Sequence, residues 1–230
     1  MSSPRVPKDL LGSLFLAHPW HGIPARAPGE GDAYNAYVEI VPTDAVKYEL
    51  DKPSGHLRLD RPQRFSSLCP TLYGFIPQTY CGRQVGARCA ERTGVPSLAG
   101  DGDPMDVCVL TEKPLAHGGF LAHVLPIGGL RMIDGDQADD KIIAVLRSDL
   151  VFGNLKDVAE CPPGLVERLR HYFLSYKQRP GDPSYHVSIA EVYDRTEALE
   201  VIRRSQADYD DQYGSLAARA EALKQVFGVG

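Results

Sequence analysis

No apolar run in this chain approaches the roughly 18 residues that a membrane-crossing helix needs, so no transmembrane helix is expected. Positive charge is not in excess either. Lys and Arg number 25 against 30 Asp and Glu, a formal net charge of −5 at pH 7. A non-specific nucleic-acid binder carries a basic excess, so that class is disfavoured. An anionic substrate is not, because local cation clusters can outweigh the mean. Cysteine occurs five times, at Cys69, Cys81, Cys89, Cys108 and Cys161, with no C-x-x-C pair. An odd set without pairs argues against a disulfide scaffold and for reduced thiols in a cytoplasmic protein. A secretory leader lacks its core. The apolar patch Leu10 to Ala17 follows Arg5 and Lys8, and Ala25-Arg26-Ala27 looks like a cleavage site, but His18-Pro19-Trp20-His21 interrupts the patch. No internal repeat is visible.

What is present bounds a globular protein. The 230 residues fit one domain or at most two small ones, and 43% are hydrophobic, enough for a sizeable core. Gly (22) and Pro (18) mark a loop-rich chain. Residues 1–33 show no sustained period and read as an extended arm, with Trp20 as an aromatic anchor. His18 and His21 lack the third neighbour that a metal site needs. Residues 34–230 read as a single domain.

From Tyr34 the pattern is β. Val38 and Ile40 alternate with Tyr37 and Glu39, and Lys47 shares a face with Glu49. Pro53-Ser54-Gly55 signals a turn before Leu57 and Leu59. Further strands are expected at Asp106–Leu110, Phe120–Ile127, Lys141–Leu146 and Val187–Tyr193. Many short strands separated by turns suggest a closed or sandwiched antiparallel sheet. Residues 80–100, rich in Gly, Arg and Cys, read as an inserted surface loop or loose hairpin. Two helices are expected late in the chain. One follows Pro162-Pro163 with Leu165, Leu169, Phe173 and Tyr176 at helical spacing. The other is capped by Thr196, carries Leu199, Ile202 and Tyr209 on one side, and ends at Gly214. An amphipathic tail from Ser215 to Phe227 is expected after it.

The chemistry concentrates in acidic loops. Asp101-Gly102-Asp103-Pro104-Met105-Asp106 brings three carboxylates together just before an apolar strand. Such charges repel unless a cation joins them, and carboxylate oxygens suit hard divalent ions. A solvated acidic turn is the bland alternative. An EF-hand is not, because Asp106 stands where its loop needs glycine. A second run, Asp134-Gly135-Asp136-Gln137-Ala138-Asp139-Asp140-Lys141, also precedes a strand, and alone it is as well read as a solvated turn. Two such loops at one mouth could hold cations close enough to clamp both oxygens in a phosphoryl transfer. Lys47, Arg61, Lys141, Tyr176, Lys177 and, in an apolar loop after Pro70, Tyr73 offer donors for a phosphate. Each basic residue alone is more simply a surface charge.

These residues resemble the soluble family I inorganic pyrophosphatases. Asp101 to Val107 looks like that family's D-G-D-P-x-D-V signature, and its companions follow in the family's order over roughly residues 36 to 210: Val38-Glu39-Ile40, Lys47 to Lys52, Gly55, Asp60-Arg61, Tyr73-Gly74, Asp134, Ala138 to Lys141 and Tyr176-Lys177. The resemblance implies a mainly β (α+β) fold, an OB-like five-stranded closed barrel with peripheral α-helices. It also implies Mg²⁺-dependent hydrolysis of pyrophosphate to two orthophosphates, with several ions per site and Mn²⁺ as a substitute. Asp101, Asp106 and Asp139 would hold the tightest metals, Asp134 a substrate-linked one, and Glu39 and Glu49 would act through water or a further metal. Asp103 matches the general base for a metal-bridged water. Lys47, Arg61, Tyr73, Lys141, Tyr176 and Lys177 match the phosphate-binding groups. The implied setting is a cytoplasmic homo-oligomer, a hexamer as in common bacterial members or a smaller assembly, with neither nucleic-acid nor membrane partners. Two positions depart from the commoner pattern. Cys69 stands where Tyr is usual, which affects one hydrogen bond near the general base and makes Cys69→Tyr a tolerated or mildly activating change. Gly135 stands where an acidic residue is usual. The rival reading, an OB-like module that binds a phosphate-bearing ligand through metal without turnover, has no use for Asp103 as a spare base.

Overall fold

A computed structural model describes residues 17–178 and 186–215, together with 217, 218, 221 and 225. The patch at Leu10 to Leu16 and most of the expected tail lie outside the described residues. Ten strands run in chain order as β1 (Tyr34–Ile40), β2 (Val46–Leu50), β3 (Leu57–Pro62), β4 (Leu72–Phe75), β5 (Ala99–Gly100), β6 (Asp106–Leu110), β7 (Phe120–Asp134), β8 (Gln137–Ala138), β9 (Lys141–Leu146) and β10 (Val187–Asp194). Among the described residues three α-helices are delimited: α1 (Arg83–Thr93), α2 (Pro163–Ser175) and α3 (Arg195–Tyr213).

Strands pair in the order β1-β4-β6-β9-β7, and β7 returns to β1, closing a ring of five. The mainly β expectation holds, with one refinement. The pairings are antiparallel except β6 with β9, which runs parallel with Asp106 opposite Lys141, and the short β5–β8 pair. β6 and β9 are buried on both faces, so they read as continuous apolar runs rather than alternations. Val107 and Ile142 pack in one core cluster with Val201 and Ile202 of α3. Their neighbours Cys108 and Ile143 pack in another with Leu169 and Phe173 of α2. The β2–β3 hairpin forms a separate two-stranded sheet.

Three local expectations change. Residues 80–100 are not an open loop, because α1 occupies their middle and buries Val85 and Cys89. Its first turn is capped from a distance: Asp208 of α3 accepts the Gly82, Gln84 and Val85 N–H groups at 2.9–3.1 Å. Tyr73 lies in β4 rather than in a loop. The N-cap of α3 is Asp194, whose side chain accepts the Glu197 N–H, and Thr196 lies inside the helix. All five cysteines are free and buried. Trp20 is 2% exposed, and its Nε1 donates to the Thr79 carbonyl at 2.8 Å.

Candidate active site

One end of the ring opens into a cleft of about 250 Å³. The signature loop forms one wall. Gly102 sits there at φ +79°, a left-handed conformation that favours glycine. The loop is tied down through its backbone. Cys81 N–H donates to the Asp103 carbonyl at 2.8 Å, Gly102 N–H to the Cys81 carbonyl at 3.0 Å, and Met105 N–H to Thr79 Oγ1 at 2.8 Å. The Asp103 N–H bonds Asp101 Oδ1 at 3.0 Å. The residues framing the 80–100 segment thus brace the loop that carries the acids.

Three carboxylates and a lysine gather at the floor. The parallel β6–β9 register sets Lys141 beside Asp106, and its ammonium lies 2.5 Å from Asp106 Oδ2 and also contacts Asp139 Oδ1. Burial pushes Asp101 up to about 8, and Asp139 and Asp106 add repulsion that Lys141 only partly offsets. Asp139 is raised for the same leading reason. Burial alone would lower Lys141, but Asp106 and Asp139 outweigh it and hold the ammonium protonated well above its ordinary range. Tyr73 reaches the same floor, and burial and then the Asp106 charge keep its phenol neutral.

The remaining walls come from distant segments. Glu39 of β1 is 7% exposed, and its Oε1 accepts the Leu50 N–H at 2.7 Å, fastening the hairpin to the ring. Burial raises it to about 8 against that bond. Lys47 stands 3.5 Å from Glu49 on the hairpin face. Across the cleft Lys177, just after α2, lies 2.8 Å from Asp134 Oδ2 at the end of β7. Tyr176 caps α2 and stacks on Tyr172 at 4.9 Å.

Twelve of the thirteen residues singled out by sequence line this cleft. Arg61 does not. It pairs with Lys47 in the hairpin register, and its guanidinium donates to the Pro62 carbonyl at 3.3 Å. The second acidic run divides in two. Asp134 and Asp139 face the cleft, whereas Asp140 forms a buried ion pair with Arg131 at 2.8 Å. Gly135 takes φ +63° at the β7–β8 turn, which accounts for glycine at that departure. Cys69 is buried in the core, where burial raises its thiol to about 11 against bonds from Thr71 and Tyr172. Sequence reasoning assigned no site role to Lys52, Tyr172, Phe173 or Gln137, all of which line the cleft. For Tyr172 the signal was its place four residues before Tyr176 on one helix.

The lining suits a hard cation by charge and donor type. Seven carboxyl groups face four lysines, and burial, with neighbouring carboxylates adding to it, raises two of those carboxyls to about 8. All the acidic donors are oxygen, the preference of Mg²⁺, Mn²⁺ and Ca²⁺. Lys141, rather than a ready-made cage, lies between Asp106 and Asp139. Among the described residues no three His, Cys, Asp or Glu side chains already form a metal-holding group.

Comparison with known proteins is consistent along the chain. The family described as inorganic pyrophosphatase matches residues 36–210. An inorganic pyrophosphatase of Chlamydia trachomatis is 46% identical over 201 residues, covering 85% of this chain and 95% of that protein. A soluble inorganic pyrophosphatase of Oryza sativa is 36% identical over 211 residues, covering 92% and 86%. Among solved structures, the inorganic pyrophosphatase from Thermus thermophilus superposes with a TM-score of 0.68 at 27% identity, over 85% of this chain and 99% of that one. The type I inorganic pyrophosphatase from Toxoplasma gondii gives 0.69 at 29% identity, over 86% and 89%.

Proposed function

We propose a mechanism for a chain that belongs to the inorganic pyrophosphatase family and is an inorganic diphosphatase, with Mg²⁺ as its cation and Asp103 as its general base. The observation that carries it is a division of labour among the carboxyls of one cleft. Asp101, Asp106 and Asp139 crowd around Lys141, while Asp103 stands apart from that group, 41% exposed at its side chain, with Lys52 at its Oδ1.

Asp101, Asp106 and Asp139 would hold the cations, with Asp134 adding a ligand and Glu39 and Glu49 acting at longer range. Bound there, divalent ions neutralise pyrophosphate and make water acidic enough to lose a proton near neutral pH. Lys47, Lys141 and Lys177 bind and orient the phosphoryl oxygens, Tyr73 and Tyr176 donate hydrogen bonds, and Arg61 acts from the hairpin edge. Water oxygen bonds to one phosphorus, its proton passes to Asp103, and the bridging P–O bond breaks with its electron pair leaving on the second phosphate. The lysines stabilise the charge that develops on that leaving phosphate.

The family reading also carries a cytoplasmic setting and a homo-oligomeric assembly, the latter tested by sedimentation. No described helix is long and apolar enough to cross a membrane. The activity test is orthophosphate release from pyrophosphate with Mg²⁺ and with chelator, using ATP and a phosphate monoester as controls. Rapid release from pyrophosphate alone, abolished by chelator and restored by Mg²⁺, is the expected result. Binding without release would favour the non-catalytic module.

A further inference from the structure

We infer that Lys52 is a positioning residue for Asp103, and that the His18–His21 turn fixes where Lys52 stands. This rests on the reading of Asp103 as the proton acceptor. Lys52 lies in the turn of the β2–β3 hairpin, 51 residues from Asp103 in sequence, and its ammonium contacts Asp103 Oδ1. Asp103 Oδ2 is left for the water proton. Because the Asp103 N–H is held by Asp101, a second contact at Oδ1 limits rotation of the carboxylate.

Both ends of this pair are set by one chain of contacts. His18 Nδ1 accepts the Trp20 and His21 N–H groups at 3.2 and 3.3 Å. A nitrogen that accepts carries no proton, so Nε2 is the protonated one in the neutral ring. Nε2 lies 2.9 Å from the Lys52 carbonyl, to which it donates. The hairpin backbone is pressed on the same ring, for a Cβ at Gly55 would meet His18 Cδ2 at 2.7 Å. Trp20 anchors the turn through Nε1 to the Thr79 carbonyl. Thr79 Oγ1 in turn accepts the Met105 N–H of the signature loop. The arm thus spans from the loop that carries Asp103 to the residue that contacts it.

The pair itself is half-exposed, 45% at Lys52 and 41% at Asp103. Such pairs contribute little to stability, so the effect belongs in turnover rather than in unfolding. A direct phosphate contact by Lys52 would leave a different signature, weaker substrate binding.

The test compares the full-length wild type with Lys52→Met, Lys52→Arg, Asp103→Asn and the Lys52→Met/Asp103→Asn double variant at saturating Mg²⁺. Calorimetry with methylene bisphosphonate reports binding apart from turnover. Lys52→Met is expected to lower kcat roughly tenfold, the scale of a hydrogen bond to a charged group, with KM and analogue affinity within about twofold of wild type. Lys52→Arg is expected to recover most of the loss, and Lys52→Met to add nothing in the Asp103→Asn background. His18→Ala should show a smaller loss of the same kind. An unchanged kcat in Lys52→Met, or a loss confined to KM and analogue affinity, overturns the inference. So does a slow Asp103→Asn variant whose loss multiplies with that of Lys52→Met, which leaves the base reading standing. Near-normal turnover in Asp103→Asn removes the base reading and this inference together.

Discussion

Glu39 fastens the β2–β3 hairpin to the ring, its buried Oε1 accepting the Leu50 N–H at 2.7 Å. This bond carries Lys47 and Glu49 to the cleft. An amide oxygen can accept the same bond, so Glu39→Gln is expected to keep the hairpin in place. Glu39→Ala leaves the buried Leu50 N–H without its partner and is expected to cost about 1–3 kcal/mol in denaturant unfolding. Equal stability of the two variants would contradict the fastening role.

Asp208 joins α3 to the first turn of α1, and the residues before that turn hold the Asp103 carbonyl. Replacing it with Ala removes the only side-chain cap of that turn seen among the described residues. A loss of about 0.5–2 kcal/mol is expected, the range of N-cap deletions. Chemical denaturation reads it, and a fall in kcat should accompany it as the signature loop loosens.

Cys69 is a packing position in the structure. It is 2% exposed and sits in one core cluster with Cys108 and Tyr172. This packing argues against tolerance of Cys69→Tyr, the expectation from sequence. The added ring is expected to overpack the core and cost about 1–3 kcal/mol, whereas Cys69→Ala should be milder than Cys69→Tyr. Thermal unfolding of the two variants decides between these readings.

The thiols should be inert in the folded protein. Burial pushes Cys69 up to about 11 and Cys89 up to about 12, and raises Cys81, Cys108 and Cys161 as well. A raised thiol is neutral below its folded pKa, so at pH 8 the native state holds almost no thiolate. Iodoacetamide labelling at pH 8 should track unfolding and accelerate in denaturant. Prompt modification of the native protein would contradict this.

The acids of the cleft were legible because they come as local motifs: three within Asp101 to Asp106, and Asp134 with Asp139 within one run. Strands β6 and β9 were legible as apolar runs. β4 was not, since four residues interrupted by Gly74 carry too little pattern. Helix α1 was hidden by its polarity, with Val85 and Cys89 among Arg83, Gln84, Arg88, Glu91 and Arg92. The cap of its first turn comes from Asp208, 123–126 residues away, which no local window contains. Lys52 was missed for the same reason, because its contact with Asp103 arises from hairpin closure. Arg61, named from a resemblance in sequence order, falls outside the cleft lining, its guanidinium held locally by the Pro62 carbonyl and Asp60.

The most direct test of the account is the turnover of Asp103→Asn on pyrophosphate at saturating Mg²⁺, with its folded state verified by circular dichroism. Asn keeps the shape of Asp103 and removes its capacity to take a proton. The account predicts an intact fold and a kcat at least about a hundredfold below wild type, the scale of a lost general base. A folded variant turning over near the wild-type rate would contradict it.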